Sequence, residues 1–330
     1  MEPSVFLRRL RELLKGRVVV TCHHNADPDA AASAVAMLTL LRRLNPSVEA
    51  VFTAPGLSKV SARMLEHFGI TAPQEAQVEK ASLVIVVDAC TLQQLDELGS
   101  RIRSAGVPVV FVDHHTPHPD TERLSVLSLV DESSSSTAEI VYRLLREAGV
   151  SLSREVATLL MAGIAYDTGH YALAGADTFR VLAELVDSGA DPRLVSELLT
   201  QPMDRSERIA RLKACQRMRF HDVGGWLVAL SEVSSHQASV ARALLSLGAH
   251  VAVVAGFKEG VLRISMRACR EFYEKTGVHL GRDVAIPLGE MVKGAGGGHP
   301  TSAGVNGSVE DVEWALERAL ELLRKLIGGG

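Results

Sequence analysis

The chain has 330 residues, 47% of them hydrophobic and 22% charged, which is ordinary for a globular protein long enough for two domains. Its net charge of −4, without a basic tail or cluster, argues against a protein that binds long duplex nucleic acid. No apolar run approaches the roughly 20 residues of a membrane span, and the N-terminus lacks a signal peptide's order, so a cytoplasmic protein without a membrane partner is expected.

The first half of the chain alternates predicted strands with predicted helices. Apolar runs predict strands at 17–22, 48–53, 83–87 and 109–112. Helices are predicted at 4–15, 30–44, 58–68 and 92–104. This alternation predicts an α/β fold with a mostly parallel sheet flanked by helices. After the serine run at 133–136 the pattern becomes helical, with helices expected over 137–148, 153–165, 178–188, 192–199 and 204–220.

A second α/β pattern begins after Gly224-Gly225. Strands are predicted at 226–233, 250–256 and 261–268, and a helix at 236–247. A glycine-rich segment at 294–307 and a helix capped by Ser308 follow. We therefore expect three parts, with the active site in the cleft between the two domains. They are a catalytic metal-binding domain at 1–190, a helical connector at 191–222 and a smaller α/β substrate-binding domain at 223–330.

Titratable side chains follow three of the four strands predicted in the first half. They are His23, Asp27 and Asp29 after the first strand, Asp88 after the third, and Asp113, His114 and His115 at the end of the fourth; Asp167 breaks a later helix. Ligands of open α/β sheets gather at the carboxyl ends of strands. Clustered carboxylates repel one another unless cations lie between them. Mixed carboxylate and imidazole ligands suit Mn²⁺, and six or seven of them fit two ions that share a carboxylate.

In order along the chain, these motifs resemble those of the DHH phosphoesterase superfamily. The matching stretches are His23-x3-Asp27-x-Asp29-Ala30, Asp88, Asp113-His114-His115 and Asp167-Thr168-Gly169. Gly296-Gly297-Gly298-His299 resembles the signature of the DHH-associated substrate domain, and Arg263 to Arg267 resembles the strand before it. The doubled His23-His24 leaves the register ambiguous. His23 is preferred because it gives the family's three-residue gap to Asp27.

The resemblance implies a role for each motif residue. His23, Asp27 and Asp88 would bind one Mn²⁺, and Asp29, His114 and Asp167 a second, with Asp88 bridging; Mg²⁺ or Co²⁺ could replace manganese. Asp113 and His115 would be catalytic, Asp113 by orienting a ligand and His115 by facing the substrate phosphate. The substrate would be bound by Ser265, Arg267, Gly296, Gly297, Gly298 and His299.

Within the superfamily, the chain resembles the nanoRNase and pAp phosphatase type. The resemblance implies Mn²⁺-dependent hydrolysis of short oligonucleotides, and of 3′-phosphoadenosine 5′-phosphate (pAp), by two-metal-activated hydroxide attack. Family II pyrophosphatases are disfavoured because their Arg-Lys-Lys signature is not found in this sequence. A RecJ-like single-strand exonuclease, a phosphodiesterase of cyclic or linear dinucleotides and a degenerate nucleotide-binding sensor stay open as alternatives. Short oligonucleotides or nucleotide phosphates are the expected partners, and a homodimer is left open.

Overall fold

A computed structural model describes residues 1–71, 77–200 and 203–328 of the chain. The chain forms two compact units, Met1–Gln201 and Pro202–Gly330, each with its own β-sheet. The predicted α/β class is confirmed. Within the described residues, no helix is both long and apolar enough to cross a membrane.

The first unit contains a five-stranded parallel sheet with the strand order β2-β1-β3-β4-β5. Its strands are β1 (Arg17–Thr21), β2 (Glu49–Phe52), β3 (Leu83–Val87), β4 (Val109–Asp113) and β5 (Ser125–Val130). β3 and β4 are buried along their whole length, as strands covered by helices on both faces must be. Four of these strands were predicted from the sequence; β5 was not, because it is an edge strand whose short run is only partly buried.

Helices cover both faces of this sheet. They are α1 (Pro3–Leu13), α2 (Pro28–Leu44), α3 (Lys59–His67), α4 (Asp96–Ala105), α5 (Pro119–Leu124), α6 (Thr137–Glu147), α7 (Arg154–Asp167), α8 (Ala176–Asp187) and α9 (Pro192–Leu199). Short 3₁₀ turns lie at Val78–Lys80 and Leu92–Leu95. Val18 and Val20 of β1 join the core formed with α2, α6 and α7, whereas Val19 joins the core formed with α4. The alternation of side chains along the strands therefore supplies two separate cores.

The second unit contains a six-stranded sheet with the order β10-β11-β9-β8-β7-β6, in which the β7–β8 pair is parallel and the other pairs are antiparallel. Its strands are β6 (Arg219–Val223), β7 (Trp226–Glu232), β8 (Val251–Lys258), β9 (Val261–Ala268), β10 (Ala295–His299) and β11 (Ser302–Gly307). Its helices are α10 (Arg205–Arg217), α11 (Gln237–Ser246), α12 (Arg270–Thr276), α13 (Ile286–Met291) and α14 (Val312–Gly328), with a π-helical turn at Leu280–Ala285. α14 packs on one face of the sheet, and α10 and α11 pack on the other.

The predicted connector at 191–222 is divided between the two units. Its first helix, α9, packs against α7 in the first unit, and its second, α10, packs against α11 in the second. Residues 201 and 202 of this segment lie outside the described residues. The predicted domain limits at 190 and 223 stay predictions.

Candidate metal centre and substrate face

The carboxyl ends of β1 and β3 form the middle of the candidate metal centre. The chain continues from β1 to β2 on one side and later places β3 on the other side of β1. Such a switch point opens a crevice in which open α/β sheets bind their ligands. His23 follows β1 and Asp88 follows β3, and His23 Nε2 lies 3.7 Å from Asp88 Oδ2.

The N-terminus of α2 supplies two carboxylates to this crevice. Asp27 caps the helix, because its Oδ1 accepts hydrogen bonds from the backbone amides of Asp29 and Ala30 at 3.0 and 3.1 Å. Asp29 is fully buried. Its carboxylate accepts hydrogen bonds from the backbone amides of Thr137 and Ala138, at the start of α6, at 2.7 and 2.8 Å. These donors hold Asp29 in place beside other carboxylates.

Gly163 allows α7 to pass close to Asp29. A Cβ atom at position 163 would lie 3.0 Å from Asp29 Oδ1 and 3.0 Å from the Cβ of Ala138. Glycine inside a helix costs about 1 kcal/mol relative to alanine, so the close approach explains its presence here. The same helix ends at Asp167, whose Oδ2 lies 3.1 Å from His114 Nε2.

The structure brings the six predicted metal ligands together. Within the described residues, candidate ligand atoms lie within 4.8 Å of one another in three sets: His23, Asp27 and Asp88; Asp29, His114 and Asp167; and Asp88, His114 and His115. The first two sets coincide with those that the resemblance implies. Asp88 has one oxygen 3.7 Å from His23 Nε2 and the other 3.7 Å from His114 Nε2, so its carboxylate faces both sets. The neighbouring His24 instead contacts Asp96, with Nδ1 3.0 Å from Oδ2.

Asp88 adopts a backbone conformation that is uncommon for a residue other than glycine, with φ at +55°. Such strain persists where the surroundings determine it, and it concentrates at functional sites. Thr137 supplies one such contact, because its hydroxyl donates a hydrogen bond to Asp88 Oδ1 at 2.8 Å. From the sequence, Thr137 was predicted only to begin a helix. Its contact with Asp88 depends on the packing of α6.

The donor atoms fit divalent cations. His114 Nε2 is buried and has no hydrogen-bond partner among the described residues, although the Asp167 carboxylate lies beside it. Buried polar atoms are nearly always hydrogen-bonded, so an orphaned imidazole nitrogen facing carboxylates indicates a missing ligand. Both sets combine carboxylate oxygens with imidazole nitrogens and include no thiolate. That chemistry suits Mn²⁺ better than structural zinc.

Without metal ions, the carboxylates of the cluster repel one another, and the pKa values of several of its groups are raised. Burial, together with the Asp88 carboxylate, raises the pKa of Asp27 to about 6. Burial and the carboxylates of Asp88, Asp167 and Asp27 raise the pKa of Asp29 well above its ordinary value. Burial opposes charge on His23, but the Asp88 carboxylate and the His24 carbonyl outweigh it and raise the pKa of His23 to about 9. The raised carboxyl pKa values reflect repulsion between neighbouring carboxylates, which bound cations would relieve.

The side chain of Asp113 contacts the imidazole of His115, and not the side chain of one of the six predicted metal ligands. Its Oδ1 accepts hydrogen bonds from the backbone amides of His114 and His115 and lies 2.8 Å from His115 Nδ1. That side-chain hydrogen bond outweighs partial burial and raises the pKa of His115 to about 9. The His115 side chain is 51% exposed, so it presents a protonated imidazole at the edge of the metal cluster. The side chain of Asp113 thus contacts the His115 imidazole, and its orienting role stays a prediction.

In the second unit, four of the six predicted substrate residues lie in two rows across three strands. Gly296 and Gly298 pair instead with Val305 and Ala303, whose side chains join the core on the opposite side. In one row, Arg267 of β9 pairs with Ser302 of β11, which pairs with His299 of β10. In the other, the paired residues are Ser265, Gly304 and Gly297. Directly paired residues point to the same side of a sheet. We call this side the substrate face.

The three glycines of the signature differ in what surrounds them. A Cβ atom at Gly296 would lie 1.8 Å from the carbonyl oxygen of Ala285, and one at Gly298, whose φ is +142°, would lie 2.4 Å from that of Ser302. At Gly297 the Cβ position has no atom within 4 Å. The fold therefore requires glycine at 296 and 298, whereas Gly297 leaves the substrate face open. The segment forms the edge strand β10 and is not a free loop.

Known proteins share this fold and these motifs. Residues 17–164 match the family model described as DHH family, N-terminal domain. An uncharacterized protein of Methanocaldococcus jannaschii is 36% identical over 303 residues, which cover 90% of this chain and 89% of the relative. The bifunctional oligoribonuclease and PAP phosphatase NrnA of Thermus thermophilus is 28% identical over 335 residues, or 97% of this chain and 94% of the relative. The crystal structure of an exopolyphosphatase-related protein from Bacteroides fragilis shares the fold, with a TM-score of 0.64, 17% identity and 98% coverage of both chains.

The fold and the grouped ligands place the protein in a definite class of enzyme. It is a metal-dependent phosphoesterase, which hydrolyses phosphate ester bonds. The chain belongs to the DHH family.

Proposed function

We propose that the protein is a Mn²⁺-dependent phosphodiesterase that removes nucleotides from short oligonucleotides and also hydrolyses pAp. The observation that carries this proposal is the substrate face, where Arg267 and His299 flank an open glycine position. A guanidinium can bind a phosphate through two parallel hydrogen bonds, and a side-chain-free backbone lets a nucleotide approach closely. The likeness to the oligoribonuclease and PAP phosphatase of Thermus thermophilus extends over this part of the chain as well.

The metal ligands would act as two sets. His23, Asp27 and Asp88 would hold one cation and Asp29, His114 and Asp167 the other, with Asp88 shared. Two bound cations supply Lewis acidity that activates water near neutral pH and offsets charge on the phosphoryl oxygens. The chain's own residues fix this arrangement, because Thr137 orients Asp88 and the start of α6 orients Asp29.

His115 would act on the substrate directly. Asp113 fixes the ring through Nδ1, and this hydrogen bond favours the protonated imidazole, whose pKa is raised to about 9 in the metal-free protein. The Nε2 proton can then be donated to a phosphoryl oxygen, where negative charge develops during hydrolysis. Asp113 is a positioning residue in this scheme, since its Oδ1 contacts the His115 ring and the backbone amides of His114 and His115.

Charge favours short substrates. A net charge of −4 gives little attraction for a long polyanion, whose affinity depends on the number of phosphates neutralised. We expect turnover per end to be highest on oligonucleotides of about two to five nucleotides. A cytoplasmic location suits such substrates and is part of the proposal.

A substrate-length assay tests the proposal. Purified protein with Mn²⁺ would be offered 5′-labelled oligonucleotides from dimers to about 40-mers, pAp, pyrophosphate and cyclic dinucleotides. Fast hydrolysis of the shortest oligonucleotides and of pAp is expected, with loss of activity in a chelator. Processive degradation of a long strand, faster than that of a trimer, would contradict the proposal and favour a RecJ-like exonuclease. Preference for pyrophosphate or a cyclic dinucleotide would contradict it as well.

A further inference from the structure

A third row continues the substrate face beyond the signature residues. Arg263 of β9 pairs with Asn306 of β11, which pairs with Ala295 of β10. Arg263, Ser265 and Arg267 alternate with residues that pack into the opposite core, so their side chains share one side of the sheet. Arg263 therefore lies on the same face as Arg267, four residues away along the strand. That separation is about 13 Å between Cα atoms.

The charge of Arg263 is available to a ligand. Its side chain is exposed, and none of the ion pairs found within residues 1–71, 77–200 and 203–328 includes it. Arg263 also lines a cavity of 180 Å³ together with Lys258 and the loop at 234–237. Lys258 forms an ion pair with Glu259, in which Nζ lies 3.3 Å from Oε1. Of the lysine and arginine side chains that line this cavity, Arg263 is therefore the one without an ion pair among the described residues.

The row between the two arginines carries almost no side chain. It consists of Ser265, Gly304 and Gly297. A Cβ atom would have its nearest neighbour at 3.7 Å at Gly304 and none within 4 Å at Gly297, so packing does not require glycine at either position. Ser265 itself is buried, and its hydroxyl accepts a hydrogen bond from the Arg267 guanidinium at 3.4 Å. The two glycines therefore form a shallow lane of accessible backbone, with Arg267 on one side and Arg263 on the other. An extended phosphate backbone fits such a lane and can be bound at two points.

We propose that Arg263 binds a second phosphate of an oligonucleotide substrate, distinct from the phosphate bound by Arg267, with the Asn306 amide beside it. The inference rests on the proposed function and deepens it, because it assigns a determinant of substrate length. The two phosphates of pAp flank a single ribose, as two successive phosphates of an oligonucleotide do. A further phosphate, able to reach an arginine whose Cα lies about 13 Å from that of Arg267, exists only in an oligonucleotide. Arg263 therefore favours oligonucleotides over pAp.

The test compares Arg263→Gln with the matched control Arg324→Gln. Both remove one positive charge, but Arg324 lies on α14, which packs against the opposite face of the sheet. For Arg263→Gln, kcat/KM on a pentanucleotide should fall about 10- to 150-fold, the loss expected for one charge-assisted contact. The slope of log KM against log salt should become shallower by about 0.7. Hydrolysis of pAp should not change, and the control should match the wild type on both substrates.

Binding in EDTA separates this inference from the proposed function. Fluorescence anisotropy of a labelled pentanucleotide should show weaker binding by Arg263→Gln than by the wild type and by Arg324→Gln. Equal binding and equal kcat/KM would overturn the subsite and leave the proposed function intact. Equal losses on the pentanucleotide and on pAp would also overturn it. The wild type could also bind the pentanucleotide in EDTA but fail to cleave it when Mn²⁺ is supplied. Together with weaker binding by Arg263→Gln, that result would support the subsite and overturn the proposed function.

Discussion

The metal centre and the substrate face are built in opposite ways. Asp29, Asp88 and Asp113 of the metal centre are buried at the carboxyl ends of parallel strands and at the start of a helix. The substrate face lies on antiparallel strands and exposes backbone, with cations at its margins. The hydrolytic step requires metal ligands that converge and are held in fixed positions. Binding a phosphate chain requires instead a surface open to the substrate and long cationic side chains. Variants in the two regions should therefore fail in different ways.

The largest effect is expected at the shared carboxylate. Asp88→Asn should lower kcat more than about 100-fold, beyond the loss typical for residues that only support metal ligands. The reason is that Asp88 faces both ligand sets. Steady-state kinetics with saturating Mn²⁺ would measure it. Asp96→Asn, which alters an exposed carboxylate beside His24, is the matched control and should keep full activity. Full wild-type activity in a chelator would refute the metal centre.

The next effect separates recognition from chemistry. Arg267→Ala and His299→Ala should lower kcat/KM on oligonucleotides about 10- to 150-fold, because each removes one charge-assisted contact of about 1.5–3 kcal/mol. Metal content should stay the same. A small ester, bis-p-nitrophenyl phosphate, should be much less affected because it has no second nucleotide to bind. Equal losses on both substrates would place these residues in the chemical step or in the fold.

Two neighbouring glycines sharpen the comparison within the substrate face. Gly296→Ala should destabilise the protein by about 1–3 kcal/mol, because its Cβ would lie 1.8 Å from the Ala285 carbonyl oxygen. Gly297→Ala should leave the free energy of unfolding unchanged but raise KM for oligonucleotides, since its methyl group would project onto the open face. Urea denaturation and kinetics of the pair would decide. If Gly297→Ala instead destabilised the protein and left KM unchanged, Gly297 would be required for folding and not for substrate binding.

The smallest effect is a pH dependence of the metal-free protein. The folded-state pKa values of His23 and His115 are raised to about 9, from the ordinary value of 6.5. Their protonated forms stabilise the fold fully below pH 6.5, and this contribution is lost as the pH rises to 9. In EDTA the melting temperature should therefore fall by several degrees between these limits. Asp88→Asn should flatten the slope, because it removes the charge beside His23. A melting temperature that stays constant between pH 6.5 and 9 would contradict the raised pKa values of His23 and His115.

The grouping of the candidate metal ligands was largely predictable from local motifs in the sequence. Asp88 and Asp113 follow valine-rich runs, and the parallel arrangement of those runs brings their ends to one edge. Thr137 and Gly163 were not predicted, because their contacts with Asp88 and Asp29 join distant parts of the chain through helix packing. No feature of the local sequence distinguishes that hydroxyl or that glycine from any other.

The second unit was harder to predict for a different reason. Its central strands are apolar runs and were predicted, but β6, β10 and β11 were missed. β10 is Ala-Gly-Gly-Gly-His, which lacks any alternation of side chains. Its strand conformation depends on pairing with β11 and on the close packing of Ala285 against Gly296. Strand pairing also defines the three rows of the substrate face, so the neighbours of Arg263 on β11 and β10 could not be derived from the sequence alone.

The most direct test of the metal centre is an anomalous difference map, recorded at the manganese edge, from crystals of the protein grown with Mn²⁺. We predict two peaks, one beside His23 and Asp27 and the other beside His114 and Asp167, both in contact with the Asp88 carboxylate. A single peak, or peaks away from Asp88, would contradict the two-cation site on which the proposed activity depends.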